Sequence, residues 1–225
     1  MEKHTNMVSI IRYAMGELKL FEEIISSKLG LKSDFVGYET LIDYLDSNNV
    51  SKIPGDFMEI GAFMGGGTKK LAQYAKKINR KVYVLDIFDP NFDKTLNERG
   101  ESMSSIYNKF LGGSNLKERF YQNIEGESNV EVYAFDSKKV SLPRDISLCF
   151  SFIDGNHDPS YTEHDFEIAW DKTVAGGIVM LHDYGGDLPQ VTQAIQKIIG
   201  EHSDEISKLK TIPNKCLISI HKGVV

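Results

Sequence analysis

The sequence has only two cysteines, no long apolar stretch near its N-terminus, no internal repeat, no low-complexity tract and no basic excess. Each absence excludes something. Cys149 and Cys216 each sit in an apolar run, at 148–152 and 216–220. Two buried free thiols are therefore expected, because a disulfide framework or a paired metal site needs closer or more numerous cysteines. The opening stretch MEKHTNMVSIIRYAMGELKLFEEI carries charges throughout. That pattern speaks against a secretory signal or a membrane span and leaves a cytoplasmic location as the default. A formal net charge of −6 argues against nucleic acid as a partner, since nucleic-acid binders usually show a basic excess. It leaves a small neutral or anionic metabolite open.

What is present fits an ordinary globular protein. Of the 225 residues, 41% are hydrophobic and 26% charged, enough to bury a substantial core in one large α/β domain with a helical appendage. Ile10, Ile11, Ala14, Leu18, Phe21, Ile24 and Ile25 recur at helical spacing. A second helical pattern runs through Tyr38, Leu41, Ile42 and Leu45. Residues 1–50 therefore read as a helical cap or dimerisation arm, consistent with a homodimer, and residues 51–225 as the main domain.

From residue 56 onward the chain alternates. Strands are expected at 56–60, 81–88, 129–135, 146–153 and 177–181, with a closing pair at 209–212 and 216–221. Helices are expected at 68–79, 104–123, 162–173 and 190–199. Apolar strands separated by helices imply a Rossmann-like, doubly wound, mostly parallel seven-stranded sheet with a C-terminal antiparallel hairpin. The polar stretch 89–115 is too long for a routine connection and reads as either a lid or a solvated loop.

The first strand runs into Glu59-Ile60-Gly61-Ala62-Phe63-Met64-Gly65-Gly66-Gly67-Thr68. Glycines let backbone lie against a ligand, and the following helix N-terminus offers free N–H groups. A dinucleotide site prefers G-x-G-x-x-G, whereas this segment is E-x-G-x-x-x-G. An acid before the first glycine repels a pyrophosphate but suits S-adenosylmethionine (SAM), which is cationic at sulfur and at its amino group. Asp86 closes the second strand, where an acid can accept hydrogen bonds from both ribose hydroxyls. Asp154 and Asp183 end the fourth and fifth strands. Acids brought to one rim repel each other unless a divalent cation joins them.

The glycine segment with Asp86 resembles motif I and the ribose-binding acid of class I SAM-dependent methyltransferases. The pattern I-D-G-x-H…A-G-G-I-V-x-x-H-D-Y resembles their metal-dependent small-molecule O-methyltransferase subgroup. That subgroup includes macrolide-sugar (macrocin-type) O-methyltransferases and cephalosporin-hydroxylase-like proteins and, more distantly, catechol O-methyltransferase. The resemblance covers roughly residues 38–184 and fades over the first 35 residues and over 89–115.

It implies cofactor contacts from Glu59, Gly61, Ala62, Phe63, Gly65, Thr68, Asp86, Ile87 and Asp154. Asp136 and Ser137 are implied to lie beside the adenine; the plainer alternative is that Ser137 caps a helix. The resemblance also implies metal ligation by Asp154, His182 and Asp183, and a general base at His157. His182 stands where the subgroup carries an acid. Imidazole suits Mg²⁺ less than it suits Mn²⁺ or Fe²⁺. The expected partner is a small hydroxylated acceptor, a sugar or a natural product. Three competing readings are a metal-free SAM methyltransferase, an NAD-dependent oxidoreductase and a non-catalytic SAM-binding protein. Trp170, at helical spacing from Phe166, reads as core and His164 as a solvated face. Tyr161 and Tyr184 read equally as pocket lining or packing.

Overall fold

The computed structural model describes residues 38–223. The first expected helix, within residues 1–36, lies outside them. The compact unit that holds the described residues begins at Gly37. The second helix expected in the arm therefore belongs to the main body. This is α1 (Tyr38–Ser47), which buries Leu41, Tyr44 and Leu45.

The strands are β1 (Asp56–Ile60), β2 (Val82–Leu85), β3 (Val130–Tyr133), β4 (Leu148–Ile153), β5 (Thr173–Leu181), β6 (Ile206–Ile212) and β7 (Leu217–Lys222). The remaining helices are α2 (Gly66–Lys77), α3 (Met103–Leu111), α4 (Leu116–Asn123), α5 (Pro159–Lys172) and α6 (Pro189–Glu201). One seven-stranded sheet has the order β3-β2-β1-β4-β5-β7-β6. β1 to β5 pair in parallel, while β7 runs antiparallel to both β5 and β6. The mostly parallel sheet with a closing hairpin is the one expected.

Burial explains the layering. Successive side chains of a strand point to opposite faces. Phe57 of β1 meets Tyr74 of α2, with ring centroids 5.9 Å apart, and Phe152 of β4 meets Tyr38 of α1 at 5.3 Å. Met58, Ile60, Ile153, Val179 and Leu181 point the other way, into a core shared with Phe166 and Trp170 of α5 and Val191 and Ile195 of α6. All six residues of β4 are buried, as a central parallel strand requires. Phe166 stacks on Trp170 at 5.1 Å, so Trp170 is core as expected.

Several expected boundaries shift. The helix expected at 104–123 is two helices. Gly112 (φ 55°) ends α3 in the left-handed conformation, and the Asn115 side chain caps α4 by accepting from the Glu118 amide. β2 ends at Leu85 instead of Phe88, because Asp86 turns into hydrogen bonds with the glycine loop and Phe88 adopts φ 53°. β5 and β6 begin earlier than expected, at Thr173 and Ile206. Cys149 is buried, but Cys216 is only half-buried, at φ 51°. His164 is half-buried with Nε2 3.3 Å from the Ser137 carbonyl, so it is not a freely solvated residue. No helix among the described residues is long and apolar enough to cross a membrane.

Neighbouring strands β1 and β4 lead to opposite halves of the sheet, which makes their carboxyl ends the switch point where open α/β sheets bind ligands. The ladder continues past the strands there. The Asp154 amide donates to the Ile60 carbonyl (2.8 Å), and the His182 amide donates to the Ile153 carbonyl (3.0 Å). Gly61, Asp154 and His182 thus stand side by side on one rim.

Candidate active site

The glycine loop is shaped by close approach. Gly61 has φ +86°, and a Cβ there would lie 2.0 Å from the Asp154 carbonyl oxygen. Only glycine lets the two strand ends meet this closely. Gly65 starts α2 from a left-handed conformation, φ 79°. Glu59 is fully buried beneath the loop and accepts from the hydroxyls of Thr68 and of Tyr38, the latter at 3.1 Å. Burial pushes its pKa up to about 8, against the pull of those two hydroxyls. An arriving cationic group would favour its ionised form.

Thr68, expected as a cofactor contact, thus spends its hydroxyl on Glu59. Tyr38 was not anticipated. Its place is legible only in three dimensions, where a Cβ on Gly67 would fall 1.9 Å from its ring.

Asp86 is more engaged than its expected role required. One carboxylate oxygen accepts from the amides of Ala62 (2.7 Å) and Phe63 (2.9 Å), and the other from the amide of Phe88 (2.6 Å). Asp86 therefore braces the glycine loop. Burial raises its pKa although the three amides oppose this. Ile87 lies half-buried next to it. Phe63 (φ 47°) packs against Tyr107 and Phe110 of α3, with centroids 5.3 and 6.3 Å away.

Asp136 caps the turn that follows β3, accepting from the Lys138 amide at 3.1 Å. The cap is Asp136 itself, not Ser137. It also accepts from the Tyr161 hydroxyl (3.1 Å) and pairs with Lys139 (3.3 Å). Burial pushes its acid up, but the Lys138 amide, Lys139 and Tyr161 outweigh that and hold its pKa low. Tyr161 has Lys138 over its ring at 3.9 Å.

Behind this turn lies Asp165, 2% exposed, with Oδ1 lacking a hydrogen-bond partner. Burial raises its pKa to about 7 from an ordinary 3.8, opposed by the Ser137 side chain. Below about pH 4 the folded and unfolded chains are both protonated here, so the group has no effect. Between the two values the unfolded chain releases the proton first, and stability falls as pH rises. Above pH 7 the cost is complete, up to about 4 kcal/mol at 1.36 kcal/mol per unit. Asp165→Asn is expected to remove that decline. Urea midpoints of the two proteins, compared at pH 5 and pH 8, test this. A decline of equal size in the variant would locate its source elsewhere.

The rim brings His157 and His182 each within ion-pair distance of both Asp154 and Asp183. Nδ1 of His182 lies 3.3 Å from Asp154 Oδ1 and 3.1 Å from Asp183 Oδ1. It is buried, yet makes a well-formed hydrogen bond with neither. Asp183 sits at φ 62°, a strained conformation for a residue with a Cβ, of the kind that clusters at functional sites. Burial disfavours its charge, but His182 and His157 outweigh this and hold its carboxyl well below the usual range. Burial likewise lowers the pKa of His182, and Asp183 and Asp154 reverse that, raising it overall.

Ligand atoms of Asp154, His182 and Asp183 all lie within 4.8 Å of one another. Two carboxylates and an imidazole nitrogen without a partner fit a divalent cation. The nitrogen tilts the donor set toward Mn²⁺ or Fe²⁺ relative to Mg²⁺. The three residues expected as metal ligands are therefore the three that the fold brings together.

His157 stands differently from an open base. It is 5% exposed. Its Nδ1 lies 2.6 Å from Asp93 and its Nε2 2.8 Å from Asp183. Burial pushes its pKa down, but Asp183 and Asp93 outweigh that and raise it to about 10. At neutral pH, in this arrangement, it is a charged donor at both nitrogens. Asp93 and Tyr107, whose hydroxyl lies 3.4 Å from Nδ1, both come from the stretch 89–115. That stretch packs on the rim as well, its Glu98 amide donating to the Asp187 carbonyl at 2.9 Å. Nothing in the sequence marked these two residues. Tyr184 packs against the core.

The family model described as "Methyltransferase domain" matches residues 58–184, a span running from β1 through both acids of the rim. No curated protein matches the sequence significantly. Among solved structures, the O-methyltransferase NovP is similar at a TM-score of 0.59 and 18% identity, covering 83% of this chain and 78% of that one. The calicheamicin methyltransferase CalS11 is similar at 0.59 and 17%, covering 83% and 80%. A further structure of CalS11 describes it as a TDP-rhamnose 3'-O-methyltransferase. The Podospora anserina methyltransferase PaMTH1, bound to S-adenosylhomocysteine (SAH), is similar at 0.57 and 13%, covering 100% and 99%. These likenesses agree with the sheet order, and the family match spans more than half of the chain. The chain belongs to the methyltransferase domain family and has the fold of class I SAM-dependent methyltransferases.

Proposed function

We propose that the protein is an O-methyltransferase that moves the methyl group of SAM to a hydroxyl of a small molecule, a sugar or natural product, with a divalent cation at the rim. The observation that carries this reading is the junction of Gly61 with Asp154. The loop expected to hold the cofactor touches the backbone of a residue that belongs to the Asp154, His182 and Asp183 set. A cofactor over the loop and an acceptor oxygen at the rim are then neighbours.

The reaction is an in-line displacement. A carbon–oxygen bond forms as the carbon–sulfur bond breaks, its electron pair leaves on the sulfur of SAH, and the hydroxyl proton passes to water or to His157 in its neutral form. A bound cation would supply Lewis acidity, lowering the pKa of the acceptor hydroxyl. Asp154, His182 and Asp183 would hold it. Glu59 would face the cationic cofactor, and Asp86 keeps the loop amides in place whether or not it also reaches the ribose. Most of the remaining gain is positional, from holding oxygen, carbon and sulfur in line. His157 can accept the acceptor proton only after its Nε2 has given up its own proton and its bond to Asp183. In the arrangement described it acts as a positive group that holds two acids. Acceptor contacts are assigned to the stretch 89–115, whose Tyr107 and Phe110 stand against Phe63.

Calorimetry with SAH and NAD side by side, followed by transfer of labelled methyl from SAM to a panel of hydroxylated small molecules, tests the reading. SAH is expected to bind and NAD not to bind. Turnover is expected to stop in chelator and return with Mn²⁺ or Mg²⁺. Full turnover in chelator would remove the cation from the mechanism. Transfer to amines alone would remove the hydroxyl acceptor.

A further inference from the structure

We propose that Asp93 is a positioning residue of the cation site, which through His157 sets the rotation of the Asp183 carboxylate. This rests on the reading of Asp154, His182 and Asp183 as cation ligands.

Asp93 is itself held from both sides of its residue. Its carbonyl accepts from the Ser104 amide (3.1 Å) and the Ser104 hydroxyl (2.7 Å). Its Oδ1 accepts from the Thr95 amide at 2.9 Å. The other oxygen, Oδ2, accepts twice from one residue, from the His157 backbone amide (3.1 Å) and from Nδ1 of its ring (2.6 Å). Two bonds to a single oxygen fix both the backbone and the ring plane of His157.

The ring then presents Nε2 to Asp183 Oδ2 at 2.8 Å, and leaves Asp154 Oδ1 at 3.9 Å. With Oδ2 engaged by His157, the Asp183 carboxylate turns its other oxygen toward the remaining donors. That oxygen, Oδ1, lies 3.1 Å from His182 Nδ1, which is itself 3.3 Å from Asp154 Oδ1. The chain Asp93–His157–Asp183 therefore aims a ligand oxygen at the other two donors. Outer partners of this kind normally orient metal ligands and tune affinity. Here the outermost member comes from the long connection after β2, so the folding of that connection and the shape of the cation site are linked.

A plainer role would have Asp93 only fasten its own loop. Ser104→Ala separates the two, since it removes a loop hydrogen bond on Asp93 and leaves its carboxylate. Asp93→Asn keeps the shape but places an NH₂ against the Thr95 amide or the His157 amide, donor against donor.

The test is Mn²⁺ binding to the full chain, followed by the electron paramagnetic resonance of free Mn²⁺. Asp93→Asn is expected to weaken binding about ten- to a hundredfold. His157→Gln should weaken it to a similar degree. The double variant should be no weaker than either single, because residues acting through one another are non-additive. Ser104→Ala should stay close to wild type. Unchanged affinity in Asp93→Asn, additive losses in the double variant, or an equal loss in Ser104→Ala would each overturn the proposal.

Nitrogen-15 histidine spectra of the wild type give a reading that needs no variant to fold. His157 Nδ1 is expected to carry a proton shifted far downfield by its bond to Asp93. An unprotonated Nδ1 would overturn the proposal. A wild type that binds SAH but no Mn²⁺ would take down the cation reading, and this proposal with it, while leaving the methyltransferase assignment in place.

Discussion

Asp154→Ala is expected to lower kcat/KM for methyl transfer by about a thousandfold, with SAH affinity little changed. The magnitude follows from the several kcal/mol that charge stabilisation at a reacting oxygen supplies, at 1.36 kcal/mol per tenfold. Asp154 is the residue at which both halves of the site meet. Its backbone meets Gly61 of the cofactor loop, and its Oδ1 faces His182 Nδ1. Removing the carboxylate takes away one cation ligand but leaves the backbone bond from its amide to the Ile60 carbonyl. The loss should therefore fall on turnover and on the response to Mn²⁺, not on the cofactor. Steady-state kinetics with calorimetry of SAH binding measure both. A variant that retains activity within about tenfold of wild type would contradict the assignment, since losing an interaction worth several kcal/mol cannot leave so small a mark.

Gly61→Ala is expected to be the most damaging single methyl group in the described chain. Two costs add. The residue sits at φ +86°, where a Cβ is strained, and the new carbon would fall 2.0 Å from a backbone oxygen and 2.4 Å from the adjoining carbonyl carbon of Asp154. Backbone cannot step aside as a flexible side chain can. The ends of β1 and β4 must separate, which breaks the bond of the Asp154 amide to Ile60 and displaces both the loop and the rim. A loss on the order of 4 kcal/mol is expected, at the upper end of single substitutions. SAH binding should be lost with it. Gly66→Ala provides the contrast, because a Cβ there meets nothing within 4 Å. Urea unfolding and SAH calorimetry on the pair measure the difference. Equal midpoints would mean that the strand ends are not in contact as described.

The order of strands and helices was readable along the chain because it rests on local pattern. β1 begins and ends where the apolar run 56–60 does. One missed boundary lies where a distant partner intervenes. β2 stops short because Asp86 turns to the amides of Ala62 and Phe63, more than twenty residues earlier. The helix expected at 104–123 failed for a local reason, the glycine pair at 112–113, each at positive φ.

The same division runs through the site. Asp154 and Asp183 were legible because acids at the carboxyl ends of adjacent parallel strands must share a rim, and His182 was legible only through the family resemblance. His157 was legible as a residue but not in its state. That depends on Asp93, whose carboxylate is 64 residues away in sequence and 2.6 Å away in space. Tyr38 over Glu59 and Tyr107 beside His157 belong with it.

The segment 56–68 shows where the boundary falls. Sequence by itself set the expectation that backbone lies close to a ligand suited to an acid there, and it determined that a parallel sheet carries the loop. Periodicity, glycine and charge are properties of neighbours in the chain. Only the tertiary structure decided that Asp86 braces the loop, that burial lifts Glu59 to a pKa of about 8 against the hydroxyls of Thr68 and Tyr38, and that His157 is clamped between Asp93 and Asp183. Hydrogen-bond partners and shifted acids are settled by which groups the fold brings within about 3 Å and removes from water, and those distances exist only once the sheet has closed.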